Sequence, residues 1–224
     1  MALLVTHSRC WETVARKALA AEDAGRSANP MDWLFDNPLE AYPNFNFGVL
    51  KQSYEGHTNS ACLFGLRKLN PVPGNWQADR SQPPDFTCHW SGTALPVDAS
   101  DELDAPMQLL MAIEESACAH NPALLVYLTL SFPDATRLHH CWEESRSFAY
   151  AAFAKRRQLP AVVIAHRPGA AGSDNPPHVH LLVGPRKLDG TGFRGFANDI
   201  LCDDGQRILY NEWTEFRASW AVRS

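Results

Sequence analysis

The residues whose types and spacing most clearly promise chemistry are three histidines within one short stretch. His166 closes the apolar run Ala161-Val-Val-Ile-Ala, and His178-Val-His180 opens the run ending at Val183. The connection between the runs is rich in Gly, Pro, Ser, Asp and Asn, the composition of a longer hairpin loop rather than a helix. Side chains alternate along a strand, so His178 and His180 point to one face with Val179 opposite. Antiparallel pairing brings His166, at the end of the preceding strand, beside them. Three neutral imidazoles around one divalent cation leave coordination positions open, as in catalytic rather than structural sites. The alternative is that these are ordinary strand histidines on the polar face of a half-buried sheet, since a short H-x-H pattern is common.

Elements that position such a cluster can be read along the chain. Residues 1–43 read as an N-terminal helical extension, with Trp11, Val14, Ala15, Ala18 and Leu19 at helical spacing over about 9–24. Residues 44–52 alternate as a first strand. Thr58, Asn59 or Ser60 caps a helix over 61–69, which Asn70-Pro-Val-Pro-Gly stops. Residues 70–100 are irregular around Phe86-Thr-Cys-His-Trp-Ser, an edge strand or extended loop, where His89 reads as a plain polar residue rather than a fourth ligand. A helix over about 101–119 follows, with Leu103, Met107, Leu110 and Met111 as its apolar stripe. Residues 124–132, nearly continuous in apolar side chains, belong in the middle of the sheet. A helix over about 135–157 precedes the histidine hairpin. Gly190-Thr-Gly192 marks a turn, 193–209 reads as loop and short extended pieces, and 211–220 as a closing helix. The class is α+β: a central antiparallel sheet with helices mainly on one face, leaving the other for the histidines and a ligand.

The chain has 224 residues, 45% of them hydrophobic and 20% charged, the balance of an ordinary globular protein. Its net charge of −5 lacks the basic excess usual in nucleic-acid binders, so contact with a polyanion has to be local. Basic clusters exist at 67–68, 155–157 and 186–187. Six cysteines at 10, 62, 88, 118, 141 and 202 form no C-x-x-C pair and read as free thiols. No apolar run approaches membrane-spanning length, so a cytoplasmic protein without membrane partners is expected.

In the order of its pieces the sequence resembles the MobA/MobL plasmid-mobilisation relaxases, within the HUH endonuclease class (His, bulky apolar, His). The likeness covers roughly residues 44 to 224. It rests on Phe86 through Leu95-Pro96, Glu114-Glu115, Leu130-Ser-Phe-Pro133, Leu159-Pro160, Ile164-Ala-His166, and Asn175-Pro-Pro-His178-Val-His180-Leu-Leu-Val183. It implies a relaxase-like HUH domain over 44–224 that nicks one strand of plasmid DNA at a transfer origin. It implies one divalent metal ion (Mn, Mg or Zn) held by His166, His178 and His180, with single-stranded DNA and accessory mobilisation proteins as partners. In such enzymes a tyrosine attacks the scissile phosphate and stays joined to it until resealing.

This chain departs from that pattern at the nucleophile. The first helix reads Ser60-Ala-Cys-Leu-Phe64-Gly-Leu-Arg67, with Phe64 where the resemblance places the tyrosine, and phenylalanine cannot attack phosphorus. The central strand carries Tyr127 and Thr129 where the family often has acidic residues. Tyr54, just after the first strand, and Tyr210, at the start of the last helix, are the substitute nucleophiles; Tyr127 reads as a structural hydroxyl and Tyr150 as core. Arg67, Arg186 and Lys187 are the candidate phosphate contacts. Three functions follow: a metal-dependent nicking and strand-transfer enzyme, a DNA-binding relative of the same fold without chemistry, and a three-histidine metal-dependent hydrolase.

Overall fold

In a computed structural model, which describes residues 42–54, 56–70, 88–171, 173–202 and 204–221, the chain builds an α+β domain around five antiparallel strands. The strands are β1 (Phe45–Lys51), β4 (Cys88–Ala94), β5 (Ala123–Ser131), β6 (Ala161–His166) and β7 (His178–Val183). Their spatial order is β1-β5-β7-β6-β4, so the histidine-bearing β7 is the central strand. β6 and β7 form the expected hairpin, His166 facing His178 and Ile164 facing His180. On the other side of β7, Thr129 faces His180 and Ser131 faces His178. The apolar strand β5 is interior, as its composition requires, and β4 is an edge. Two short pairs stand apart: β2 (Ser53–Tyr54) with β3 (His57–Thr58), and β8 (Arg186–Asp189) with β9 (Gly192–Phe196). The β8–β9 turn is closed by Asp189, whose carboxylate accepts from the Thr191 amide at 2.8 Å, with Gly192 at a φ of 112° that a side chain would resist.

Helices lie on both faces of the sheet. The two longer ones, α3 (Leu138–Ala149, continued by a π turn over Tyr150–Lys155) and α4 (Gly205–Ala221), pack on the face of Leu128, Leu130, Val179, Leu181 and Val163. The shorter α1 (Ala61–Leu69) and α2 (Pro106–Glu115) cover part of the opposite face, over Leu125, Tyr127, Val162, Ile164 and Leu182. The histidines share this second face, so it is half roofed rather than open. The helix expected over 101–119 divides into a 3-10 turn at Asp101–Leu103 and α2, because Pro106 lacks an N–H and takes the first helical position. The last helix starts at Gly205, earlier than its apolar stripe indicated. The expected N-terminal helix lies outside the described residues, as do Phe86 and Thr87. No helix among the described residues is long and apolar enough to cross a membrane.

Candidate metal centre

α1 closes the histidine face through its two ends. At its start, Ser60 Oγ accepts from the Leu63 amide at 3.1 Å and donates to the Glu114 carboxylate at 2.5 Å, which also accepts from the Cys62 amide at 2.9 Å. Two of the orphan amides of α1 are thereby satisfied from its own cap and from α2. Near its end, the Lys68 carbonyl accepts from His166 Nε2 at 2.6 Å. In between, Gly65 sits where a Cβ would fall 2.2 Å from Leu110 Cδ1, so a side chain there would have to move Leu110 or part α1 from α2. α1 therefore spans from the far end of the sheet to the histidines.

His166, His178 and His180 offer one ligand atom each, all within 4.8 Å of one another. That is close to what a single ion with metal–nitrogen bonds of about 2 Å bridges. A carbonyl can only accept, so its partners decide the tautomers. His166 donates from Nε2 to Lys68 O, leaving Nδ1 as its lone pair; His178 donates from Nδ1 to Pro176 O at 2.9 Å, leaving Nε2. The Nδ1 of His180 contacts Tyr127 OH at 2.9 Å and Thr129 Oγ1 at 3.0 Å, which leaves Nε2 for the cluster. Second-side partners of this kind orient metal-binding imidazoles and set their basicity. Burial, with the Lys68 charge behind it, lowers all three imidazoles below the ordinary histidine range; the neighbouring rings add to this for His166, held at about 3, and for His180, held well below that range. At neutral pH the cluster is three bare imidazoles, a donor set that fits a divalent ion without losing protons.

Lys68 is the cation of the site. Only 8% exposed, its ammonium lies 4.9 Å from the centroid of Tyr127 and 5.8 Å from that of Phe64. Among the described residues no carboxylate pairs with it, and burial lowers its pKa to about 8. The sequence marked it only as half of the basic pair 67–68, although it follows Phe64 by four residues and therefore shares its helical face. Thr129, which the sequence showed only as a departure from the acidic residues of the resembled family, faces His180 across the sheet.

All five tyrosines of the chain are described, and only Tyr127 is at the histidines. Phe64 is on the histidine side, fully buried, with its ring edge-on to Tyr127 at 5.2 Å. Tyr54 lies beyond Lys51, which pairs with Ala123 at the opposite end of β5 from Thr129, about 20 Å along the strand. Tyr210 packs at a tilt against Tyr42 and edge-on against Phe45, on the other face of the sheet. Neither is brought to the cluster, because strand direction removes the first and side-chain alternation the second. Tyr150, expected in the core, is 49% exposed on the π turn. Tyr127 is the buried structural hydroxyl expected, burial pushing its pKa up.

The basic candidates divide in the same way. Arg67 stays at the histidine end of α1, half-buried beside Lys68. Arg186 does not: β7 runs away from His178, and its guanidinium donates to the carbonyls of Ser116, Arg194 and Phe193. Lys187 is exposed on the same distant hairpin. Sequence proximity to the histidine pair misplaced both, since β7 carries the chain from His180 to Val183, about 10 Å along the sheet, and β8 begins beyond that far end. Arg156 and Arg157 are likewise engaged, with Glu212 and Asp199.

The fold and its cluster define a class: an α+β domain whose central antiparallel strands carry a buried three-histidine group. No family model matches the sequence, and no curated protein matches it. Among solved structures the chain is similar to one described as "Molecular Basis of Vancomycin Resistance Transfer in Staphylococcus aureus". That match has a TM-score of 0.57 at 16% identity and covers 77% of this chain and 88% of the other. At that identity the likeness is one of fold.

Proposed function

We propose that this protein is a relaxase-like DNA-handling protein of mobile elements, holding a phosphodiester of single-stranded DNA at a divalent metal bound by His166, His178 and His180. The observation that carries the reading is the charge of the site: three neutral imidazoles and a buried Lys68, with no carboxylate paired to it among the described residues. A site this cationic in a protein of negative net charge favours an anionic ligand, and the fold is shared with a protein of resistance transfer. Three imidazole donors suit zinc better than magnesium or manganese, which favour oxygen ligands. When bound, such an ion polarises the non-bridging phosphate oxygens and templates an in-line displacement.

The residues supply the rest. His166 and His178 are fixed by backbone carbonyls, so their lone pairs converge without rotamer cost. Lys68 neutralises a phosphate oxygen, Arg67 beside it extends the basic edge along the backbone of the strand, and the roof of α1 and α2 limits access of water. What the chain lacks is a tyrosine free to serve as nucleophile at the cluster: the buried ring at position 64 is phenylalanine, and the phenol of Tyr127 is spent behind His180. The present chain is therefore a relaxase scaffold that binds metal and single-stranded DNA without forming a covalent joint, which favours the binding relative over the nicking enzyme.

The test compares the unaltered protein with Phe64→Tyr, using manganese or zinc and a mixture of single-stranded oligonucleotides. Metal-dependent binding by both and an adduct surviving denaturing electrophoresis only with Phe64→Tyr are expected. An adduct formed by the unaltered chain, or metal-independent binding, would overturn the reading.

A further inference from the structure

His180 is held differently from the other two imidazoles. His166 and His178 each donate to a backbone carbonyl, whereas the Nδ1 of His180 meets two hydroxyls, Tyr127 at 2.9 Å and Thr129 at 3.0 Å. Thr129 Oγ1 in turn donates to the Tyr127 oxygen at 2.8 Å. The triangle follows from register: Thr129 pairs with His180 across β5 and β7, and Tyr127 is the next residue on the same face. All three side chains are buried.

A hydroxyl both donates and accepts, so this triangle admits either tautomer of the ring. With Nδ1 bare, Tyr127 donates to it and Thr129 donates to Tyr127, and every proton is placed. With Nδ1 protonated, the ring donates to either oxygen and one hydroxyl proton is left over. Ligation through Nε2 requires the second arrangement, which each oxygen can serve alone.

We propose that Tyr127 and Thr129 are a redundant positioning pair for His180. Either oxygen accepts from Nδ1–H and turns Nε2 toward His166 and His178, and neither brings a negative charge to the cluster. The inference rests on reading the cluster as a metal site, and it assigns the work of the usual carboxylate or carbonyl partner to two neutral hydroxyls. Redundancy distinguishes it from simple packing: removing one hydroxyl leaves an acceptor at about the same distance, and removing both leaves none.

The experiment titrates the metal-free protein with cobalt(II), reading affinity by calorimetry and coordination by the visible spectrum of the bound ion, without any assay of activity. Tyr127→Phe and Thr129→Val alone should each lose less than about tenfold in affinity, and together about 10–100-fold, the usual effect of removing such a partner, with an altered spectrum. Tyr127→Phe/Thr129→Ser should keep the affinity of Tyr127→Phe. Melting of the metal-free variants shows whether they fold; should Tyr127→Phe/Thr129→Val fail, Tyr127→Phe/Thr129→Ser against Tyr127→Phe/Thr129→Ala makes the same comparison. Wild-type affinity and spectrum in the double variant, or a single variant as weak as the double, would overturn the pairing while leaving the metal site intact. Failure of the unaltered protein to bind cobalt would overturn the metal reading and the inference together.

Discussion

Replacing Lys68 by methionine is expected to stabilise the metal-free protein at neutral pH while weakening its hold on single-stranded DNA. Methionine keeps an unbranched, adaptable stem and removes a charge that the fold buries without a paired carboxylate among the described residues. Burial lowers the ammonium pKa from 10.5 to about 8. At about 1.4 kcal/mol per pH unit, the folded state disfavours the charge by on the order of 3 kcal/mol, an upper bound on the gain. Between pH 8 and 10.5 the unfolded chain still holds a proton that the folded chain has released, so wild-type stability rises with pH across that window. The advantage of Lys68→Met is therefore full below pH 8 and fades to nothing above 10.5. Urea unfolding in the presence of a chelator, at several pH values from 7 to 10.5, measures it. Fluorescence anisotropy with a labelled oligonucleotide should show a slope of log affinity against log salt shallower by about one phosphate contact. A variant less stable than wild type at pH 7, or a stability difference constant between pH 8 and 10.5, would refute the argument.

Acid should destabilise the metal-free fold. Unfolded histidines take a proton near pH 6.5, whereas His166 resists it until about 3, so stability is lost as pH falls through that interval, by on the order of 5 kcal/mol from this residue alone. Chemical unfolding at pH 7, 5.5 and 4, with His166→Gln as the comparison that removes much of the slope, checks it. Gly65→Ala should cost about 1–3 kcal/mol despite the better helix propensity of alanine, because its Cβ meets the buried Leu110 side chain at 2.2 Å. The same change should weaken cobalt(II) binding by shifting Lys68 O away from His166, read by thermal melting and titration on one sample; equal stability and affinity would show that Leu110 yields freely.

The histidine hairpin was legible in the sequence because its geometry is local. Strand alternation puts His178 and His180 on one face whatever surrounds them, and the Gly/Pro-rich connection returns the chain so that His166 faces His178. The interior place of β5 was legible for a similar reason, since a run apolar on both faces has nowhere else to go. The π turn after α3 carries no pattern in its residues that separates it from α-helix, and it left Tyr150 exposed where a continuous helix implied core. The rest of the site depended on directions that periodicity does not encode. Arg186 stands six residues after His180, yet strand direction carries it to the far end of the sheet, where backbone carbonyls consume its donors. Tyr210 has a suitable position in sequence and the wrong face in space. Lys68, only half of a basic pair in the sequence, becomes a buried cation at the cluster because α1 lies against α2 at Gly65 and reaches the histidine face. Residue type and spacing thus determined which imidazoles meet, a question of neighbouring strands. Tertiary packing decided which charges and hydroxyls surround them, because that depends on how helices distant in sequence cross a sheet.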